Sequence, residues 1–356
     1  MFFGRNKSLV GLDIGDSSIK AVELKDLGRG RGWKLVTAGV EPLSAEAIVD
    51  GAIMDSGLVS DTIQRLFRNH RIRTTQVATA LSGHSVIIKR ISMPMMSADE
   101  LAESIQWEAE QYIPFAIEDV NLDWQVLDGP SLTGEGNMDV LLVAVKKERI
   151  NDYVSVISQA GLTAAVVDID AFALQNAFEA NYEAEAAQTV ALIDIGAAVT
   201  TITIMRGGTS VFWRDISMGG NQVTDAIQKE LNLSAEQSER IKKGDDAAGV
   251  PMDSVIPVIA SVSNDLGSEI QKTLDFYKAT SSSDEPLERI FLTGGAAQLV
   301  NLRDTLAERF HIPVELMDPF RKIESSRRAT PDDLVSRMSA TAAVAVGLAT
   351  RRAGDR

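Results

Sequence analysis

Val10–Leu24, VGLDIGDSSIKAVEL, and Ala191–Met205, ALIDIGAAVTTITIM, decide how this chain folds. Each is an apolar run, then Asp-Ile-Gly, then small residues, then an alternating run, which spells strand, tight turn, strand. Asp13 and Asp194 stand 181 positions apart, so one unit occurs twice and the chain divides into two related halves.

The two turns share a chemistry. Gly15 and Gly196 lack a Cβ, so a phosphate can approach the backbone and meet N–H groups, with Asp16 and Ala197 completing the turns. Ser17, Ser18 and Lys20 in the first copy, and Thr200 and Thr201 in the second, offer hydroxyl or ammonium donors. Asp13 and Asp194, at strand ends, suit Mg²⁺ held through water, because that ion keeps most of its hydration shell. One such turn is an ordinary strand signal. Two facing copies would grip phosphates from both sides.

Two further glycine pairs extend the pattern. Ile290–Leu299, IFLTGGAAQL, is a strand ending in Gly294-Gly295-Ala296, bare backbone against which a base and ribose would lie. Ser217–Leu231, SMGGNQVTDAIQKEL, enters a helix through Gly219 and Gly220, whose N–H groups are expected beside the ligand. The combination predicts a nucleotide in a crevice between two α/β lobes.

Composition narrows the alternatives. The 356 residues give two to three domains at about 150 per domain. The net charge of −15 repels nucleic acid, so no nucleic-acid partner is expected. The charge is uneven: residues 1–40 carry 7 basic and 4 acidic side chains, and residues 321–356 carry 8 and 4. The absence of cysteine excludes disulfides, thiolate zinc sites and a Cys nucleophile. His70, His84 and His311 have no metal-ligand spacing, and G-x-S-x-G is missing. MFFGRNKSLVGLDIG is not a secretory signal, and Met338–Thr350 is shorter than the ~20 residues a membrane span needs, so a soluble protein is expected.

Between the hairpins the pattern predicts an insertion. His84–Met93, Asn121–Asp128 and Met138–Val145 read as strands, the last two joined by a loop at Pro130–Asn137. A helix opens at the Ser97-x-x-Glu100 capping box and closes near Pro114. A further helix spans about Lys147 to Ala160. Leu101, Ile105, Ala109 and Tyr112 should face the sheet, which leaves Trp107 on the polar side with Glu103 and Glu110. Either a neighbouring subdomain covers that Trp, or Trp107 and the turn Tyr112-Ile113-Pro114-Phe115 form a partner interface. Later, Ser234 and Gln237 cap a helix that Gly244 closes. A long helical stretch, about Asp253 to Ala279 and interrupted at Pro257, carries Glu269 and Lys272 at ion-pair spacing. Ser281–Pro286 reads as an exposed loop.

The order of hairpin (10–24), connector Val166–Leu174 (VVDIDAFAL), second hairpin (190–208), Gly pair (290–299) and Ala/Gly-rich closing helix (339–350) resembles the actin, Hsp70 and hexokinase ATPase superfamily along nearly the whole chain. Within it, Trp107–Phe115 (WEAEQYIPF), the start and the ending from Ser339 resemble the PilM family of type IV pilus assembly proteins, relatives of the cell-division protein FtsA. The resemblance implies an α/β, actin-like (RNase H-like) duplicated two-lobe ATPase fold with an FtsA-like α+β inserted subdomain. Its boundaries would be 1–82 for the first part of subdomain 1A, 83–161 for the inserted 1C, and 162–188 for the connector and return to 1A. Then would come 189–225 for the first part of 2A, 226–284 for 2B, 285–338 for the return to 2A and 339–356 for the closing helix and tail.

It also implies ATP and Mg²⁺ as cofactors, Glu269 and Lys272 near ribose and base, and a cytoplasmic scaffold of the inner-membrane alignment complex, serving pilus biogenesis and twitching motility. Its partner would be the cytoplasmic N-terminal tail of PilN, held between the first subdomain and the insertion. Other inner-membrane assembly proteins and self-association remain open, with membrane contact only through partners. Candidates for orienting an attacking water are Asp13, Asp168 and Asp194, with Asp170 beside them. Hydrolysis is expected to be slow or partner-dependent. The readings left open are an FtsA-like polymerising ATPase, a related secretion-system component, or a small-molecule kinase.

Overall fold

The computed structural model describes residues 8–28, 30–127, 136–182, 188–245, 249–281, 285–325 and 332–355. Most of the expected Pro130–Asn137 loop and the middle of Ser281–Pro286 lie outside the described residues.

Two five-stranded sheets carry the same topology. In the first, strands Val10–Ile14, Ser18–Asp26 and Trp33–Pro42 form an antiparallel meander. Gln76–Leu81 and then Thr163–Ile169 add in parallel on the other side of Val10–Ile14. In the second, Thr189–Ile195, Thr200–Arg206 and Thr209–Ile216 form the meander, and Leu287–Thr293 and Val314–Leu316 add in parallel. The registers coincide: Asp13 pairs with Lys20, and Asp194 with Thr201. Both turns close alike, Gly15 N–H donating to Ser18 O at 3.2 Å and Gly196 N–H to Val199 O at 2.9 Å.

Helices Asp170–Asn181 and Ala343–Ala349 bind the two sheets together. Leu174, Ala177, Phe178, Ala345 and Val346 share one buried cluster with Val22 and Leu24 of the first sheet and Leu192, Met205 and Phe291 of the second. Contact is backbone to backbone at two glycines. A Cβ on Gly11 would lie 2.0 Å from Ala345 O, and one on Gly347 would lie 1.7 Å from Ala173 O. No side chain fits at either place.

The insertion is a three-stranded antiparallel sheet, Val86–Pro94, Asn137–Lys146, Val120–Leu127 in that spatial order, with helix Ala98–Ala109 on one face. The Ser97–Glu100 capping box is present. The helix stops at Ala109, earlier than expected, and hydrogen-bonded turns carry the chain on to Ile113, whose N–H donates to Ala109 O at 3.1 Å just before Pro114. Tyr112 therefore lies past the helix end and is 42% exposed, while Ile113 takes the core position expected for it. Helix Lys147–Gln159 leaves the insertion and buries Tyr153, Val156 and Ile157 against Val59, Ile63 and Leu66 of helix Ser56–Asn69 in the first lobe. In the second lobe, helix Met252–Thr280 runs straight through Pro257, at the loss of one backbone hydrogen bond.

Candidate nucleotide site

The hairpin turns face one another across a crevice whose floor is charged. Lys20 Nζ contacts Asp13 Oδ2 at 3.0 Å. Burial disfavours the ammonium, but Asp13, Asp194 and Asp170 outweigh it and hold the Lys20 pKa above its ordinary value. Burial and the Asp13 charge push the Asp194 carboxyl up to about 6. Burial, Asp13 and Asp194 raise Asp170 well above the usual carboxylate range, although the Ser82 hydroxyl bonds to it. Asp215 is raised by burial, and is held by the Gly83 N–H at 2.6 Å and the Thr201 hydroxyl at 2.8 Å. Three carboxylates thus share one lysine, with Asp215 next to Asp170 and Asp194.

The turns position these groups through strand geometry. Asp13 and Lys20 are cross-strand partners and project to the same face. Asp170 opens its helix directly after the strand Thr163–Ile169, so its side chain enters the crevice. Asp168, two residues earlier on the strand, does not. It is buried and paired with Arg351 at 2.9 Å, so its charge is already taken. The connector carboxylate in the charged group is therefore Asp170.

Other candidate residues are also placed differently from expectation. Asp16 turns away and accepts from Gly51 N at 3.3 Å. Thr200 donates to Met218 O at 2.7 Å and Thr201 to Asp215, so neither hydroxyl is free for a phosphate. Gly219 N–H donates to Gln222 Oε1 and Gly220 N–H to Gly196 O, both within 3 Å, so these donors cap the helix rather than face a ligand. Their role is close packing: a Cβ on Gly219 would lie 2.6 Å from Gly196 O. Ser17 is exposed at the turn and Ser18 half-buried.

A second cluster of close contacts is built around Gly220. A Cβ there would meet Ala296 Cβ and Lys242 Nζ, both at 3.3 Å. Gly294, at φ +92°, packs on the second hairpin so closely that a Cβ would sit 2.4 Å from Asp194 Oδ1, and Gly295 follows it exposed. Lys242 Nζ contacts Glu239 Oε2 at 2.5 Å, Thr224 Oγ1 at 2.9 Å and Gly220 O at 3.0 Å. That lysine holds Glu239 below the usual carboxylate range against the opposing effect of burial. Glu269 and Lys272 instead form a 2.6 Å ion pair on the exposed face of Met252–Thr280. The sequence contains Glu-x-x-Lys at both places, and only 239–242 packs beside the glycine pairs.

Two contacts tie the start of the insertion to the second lobe: Gly83 N–H to Asp215, and Ser217 Oγ to His84 Nε2 at 2.6 Å. Trp107 is 73% exposed, so no neighbouring subdomain covers it, and Tyr112, Pro114 and Phe115 line the surface after its helix while Ile113 is buried. Lys146 Nζ lies 4.3 Å over the Phe115 ring.

The family model described as type IV pilus assembly protein PilM matches residues 11–353. The chain belongs to the PilM family. Among solved structures, a PilM-PilN type IV pilus biogenesis complex is similar at TM-score 0.85 and 27% identity, covering 97% of this chain and 98% of that one. MreB5 of Spiroplasma citri bound to ADP is similar at TM-score 0.51 and 14% identity, covering 96% of this chain and 94% of that one, a likeness of fold. The FtsA of Bacillus subtilis is 24% identical over 260 residues, which is 67% of this PilM-family chain but only 58% of that protein's length. The actin-like fold is therefore that of the family. No helix among the described residues is long and apolar enough to cross a membrane.

Sequence reasoning passed over Asp215, Glu239, Lys242 and Ser82. Asp215 had a signal: it follows the second hairpin on a third strand, where an acid in an otherwise apolar alternation marks the same sheet end as Asp194.

Proposed function

We propose that this chain binds Mg²⁺-ATP between the two hairpins, and that occupancy of the crevice sets its affinity for the cytoplasmic N-terminal tail of PilN. The observation that carries the reading is the excess of carboxylate at the crevice floor. Asp13, Asp170 and Asp194 share a single lysine with Asp215 beside them; burial and mutual repulsion raise Asp170 and Asp194, and burial raises Asp215. A hydrated divalent cation neutralises such a group, and its hard oxygen donors suit Mg²⁺. No three acidic or histidine side chains among the described residues converge closely enough to bind a metal directly, which fits a water-mediated ion at Asp13 and Asp194.

In this reading the turn backbones at Gly15 and Gly196 and the Ser17, Ser18 and Lys20 side chains hold phosphates. Gly294, Gly295 and Ala296 back the base, and Glu239 and Lys242 take the ribose-side role first assigned to Glu269 and Lys272. Asp170 replaces Asp168 as the carboxylate that orients a water.

Coupling to the partner runs through the strap at Gly83 and His84. Closing the lobes on a nucleotide would shift Asp215 and Ser217, and with them the start of the insertion that carries Trp107, Tyr112 and the Pro114-Phe115 turn. The shift in partner affinity is bounded by the nucleotide's differential affinity for the two states. The solved PilM-PilN complex supports the partner, and the scaffold role in the inner-membrane assembly complex follows from it.

Calorimetric titration of Mg-ATP and of a PilN N-terminal peptide, separately and together, tests the reading. ATP binding that Asp13→Asn abolishes, and a peptide affinity that changes with ATP, are expected. Peptide binding indifferent to ATP would remove the coupling. Trp107→Ala should weaken the peptide without altering ATP affinity.

A further inference from the structure

The two basic ends of this acidic chain meet on one face. Glu324 donates its N–H to Trp33 O at 3.0 Å and its carbonyl accepts from Leu35 N–H at 2.8 Å, while Arg352 pairs with Asp26 at 2.6 Å. These contacts bring Lys25, Lys34, Arg73, Arg351 and Arg352 together at one end of the first sheet. A cavity of about 1060 Å³ opens there, and a second of about 770 Å³ adjoins it, with Asp26, Trp33 and Arg352 in the walls of both. Strand Ser18–Asp26 runs from the hairpin turn to this face, so Lys25 stands about 24 Å along the strand from Ser18. The face and the crevice are at opposite ends of the lobe.

The acids nearest the two arginines are already taken, while Glu179, Glu324 and Asp355 also lie along this face. Asp26 holds Arg352, and buried Asp168 holds Arg351. Lys25 and Lys34 are directly opposed across the antiparallel pair, an arrangement that costs stability unless an anion lies over it. Neither of them, nor exposed Arg73, is ion-paired among the described residues.

We propose that this face docks directly on an anionic bilayer surface. The cations are spread over several elements around a broad opening rather than aimed at one point, which suits a plane of headgroups better than a single phosphate. Half-buried Trp33 sits among them, the residue type favoured at the membrane-water boundary. The proposal stands apart from the nucleotide reading, and it adds direct contact to the expectation that the membrane is reached only through partners.

Co-sedimentation of the full chain with phosphatidylcholine vesicles, with and without phosphatidylglycerol, tests it. Binding should require phosphatidylglycerol and weaken as salt rises. Lys25→Glu combined with Arg73→Glu should lower the apparent partition coefficient about tenfold or more, since each cation near such a surface counts separately. The milder Lys25→Gln with Arg73→Gln should lower it less, and Lys229→Glu, exposed on a distant helix, should not. Lys25→Glu alone should raise the melting temperature, because it replaces a repulsion with Lys34 by an attraction, while vesicle binding falls. A merely structural residue would not separate those two readouts. Absence of phosphatidylglycerol-dependent binding, or binding that these substitutions leave intact, would overturn the proposal. So would capture of polyglutamate through Lys25 and Arg73 without any vesicle binding, which would give the face to an acidic protein partner.

Discussion

The two hairpins have one register and one turn, yet they spend their side chains differently. In the first, the cross-strand pair is Asp13 with Lys20, and Ser17 is exposed at the turn. In the second, the equivalent partner of Asp194 is Thr201, whose hydroxyl holds Asp215, while Thr200 holds Met218 O and the Gly196 carbonyl caps a helix. The first ribbon keeps charge available to a ligand, and the second gives its polar atoms to its own lobe. Duplication preserved the backbone and let the chemistry diverge.

The largest test of that contrast lies at the glycines after the parallel strands. Gly294→Ala would drive a Cβ into Ile195 O at 2.3 Å and Asp194, at φ +92°, and should cost about 3 kcal/mol or more by denaturant unfolding. Its first-lobe counterpart Gly83 has φ +80° but meets nothing nearer than Val199 at 3.9 Å, so Gly83→Ala should cost only about 1 kcal/mol. Equal losses would erase the asymmetry.

The aspartates should separate by sign. Asp13→Asn strips the buried Lys20 of its closest partner and should destabilise by about 3 kcal/mol. Asp194→Asn removes a carboxylate that burial opposes, and should stabilise the apoprotein at pH 7 by about 1–2 kcal/mol, while both substitutions abolish Mg-ATP binding.

The same group sets a pH dependence. The folded Asp194 carboxyl titrates near 6, above its unfolded value of 3.8, so the folded state takes up its proton first. Its contribution therefore falls as pH rises from about 4 to 6 and is fully unfavourable above that. Asp170 and Asp215, also raised, act in the same direction. Thermal melts of wild type and Asp194→Asn across that range should converge at low pH and diverge above 6. At the small end, Thr201→Val should cost about 1 kcal/mol by leaving Asp215 short of a donor, and Ser17→Ala below about 0.5 kcal/mol, with lowered ATP affinity as its main effect.

The repeated Asp-Ile-Gly made the two lobes legible, because strand-turn-strand geometry is local and leaves its mark in adjacent residues. The capping box at Ser97 was legible for the same reason. The strand end was not: whether Asp168 or Asp170 joins the charged group depends on where the strand gives way to a helix, and VVDIDAFAL has no glycine or proline to mark that point. The Glu-x-x-Lys pair that packs beside the glycines was equally hidden. Glu239–Lys242 and Glu269–Lys272 are the same local motif, and only tertiary packing against Gly220 distinguishes them. Glycines at 219 and 220 advertised open N–H groups, but their use as spacers required the Gly196 and Ala197 carbonyls, more than twenty residues earlier.

Helix Ala343–Ala349 lies against Gly11 and Ala173 with no side chain between them. The first sheet has all its strands by Ile169, yet the helix that covers Gly11 follows every strand of the second sheet. The lobes are therefore interlocked along the chain, and a cut between them would strip the first sheet of its packing partner.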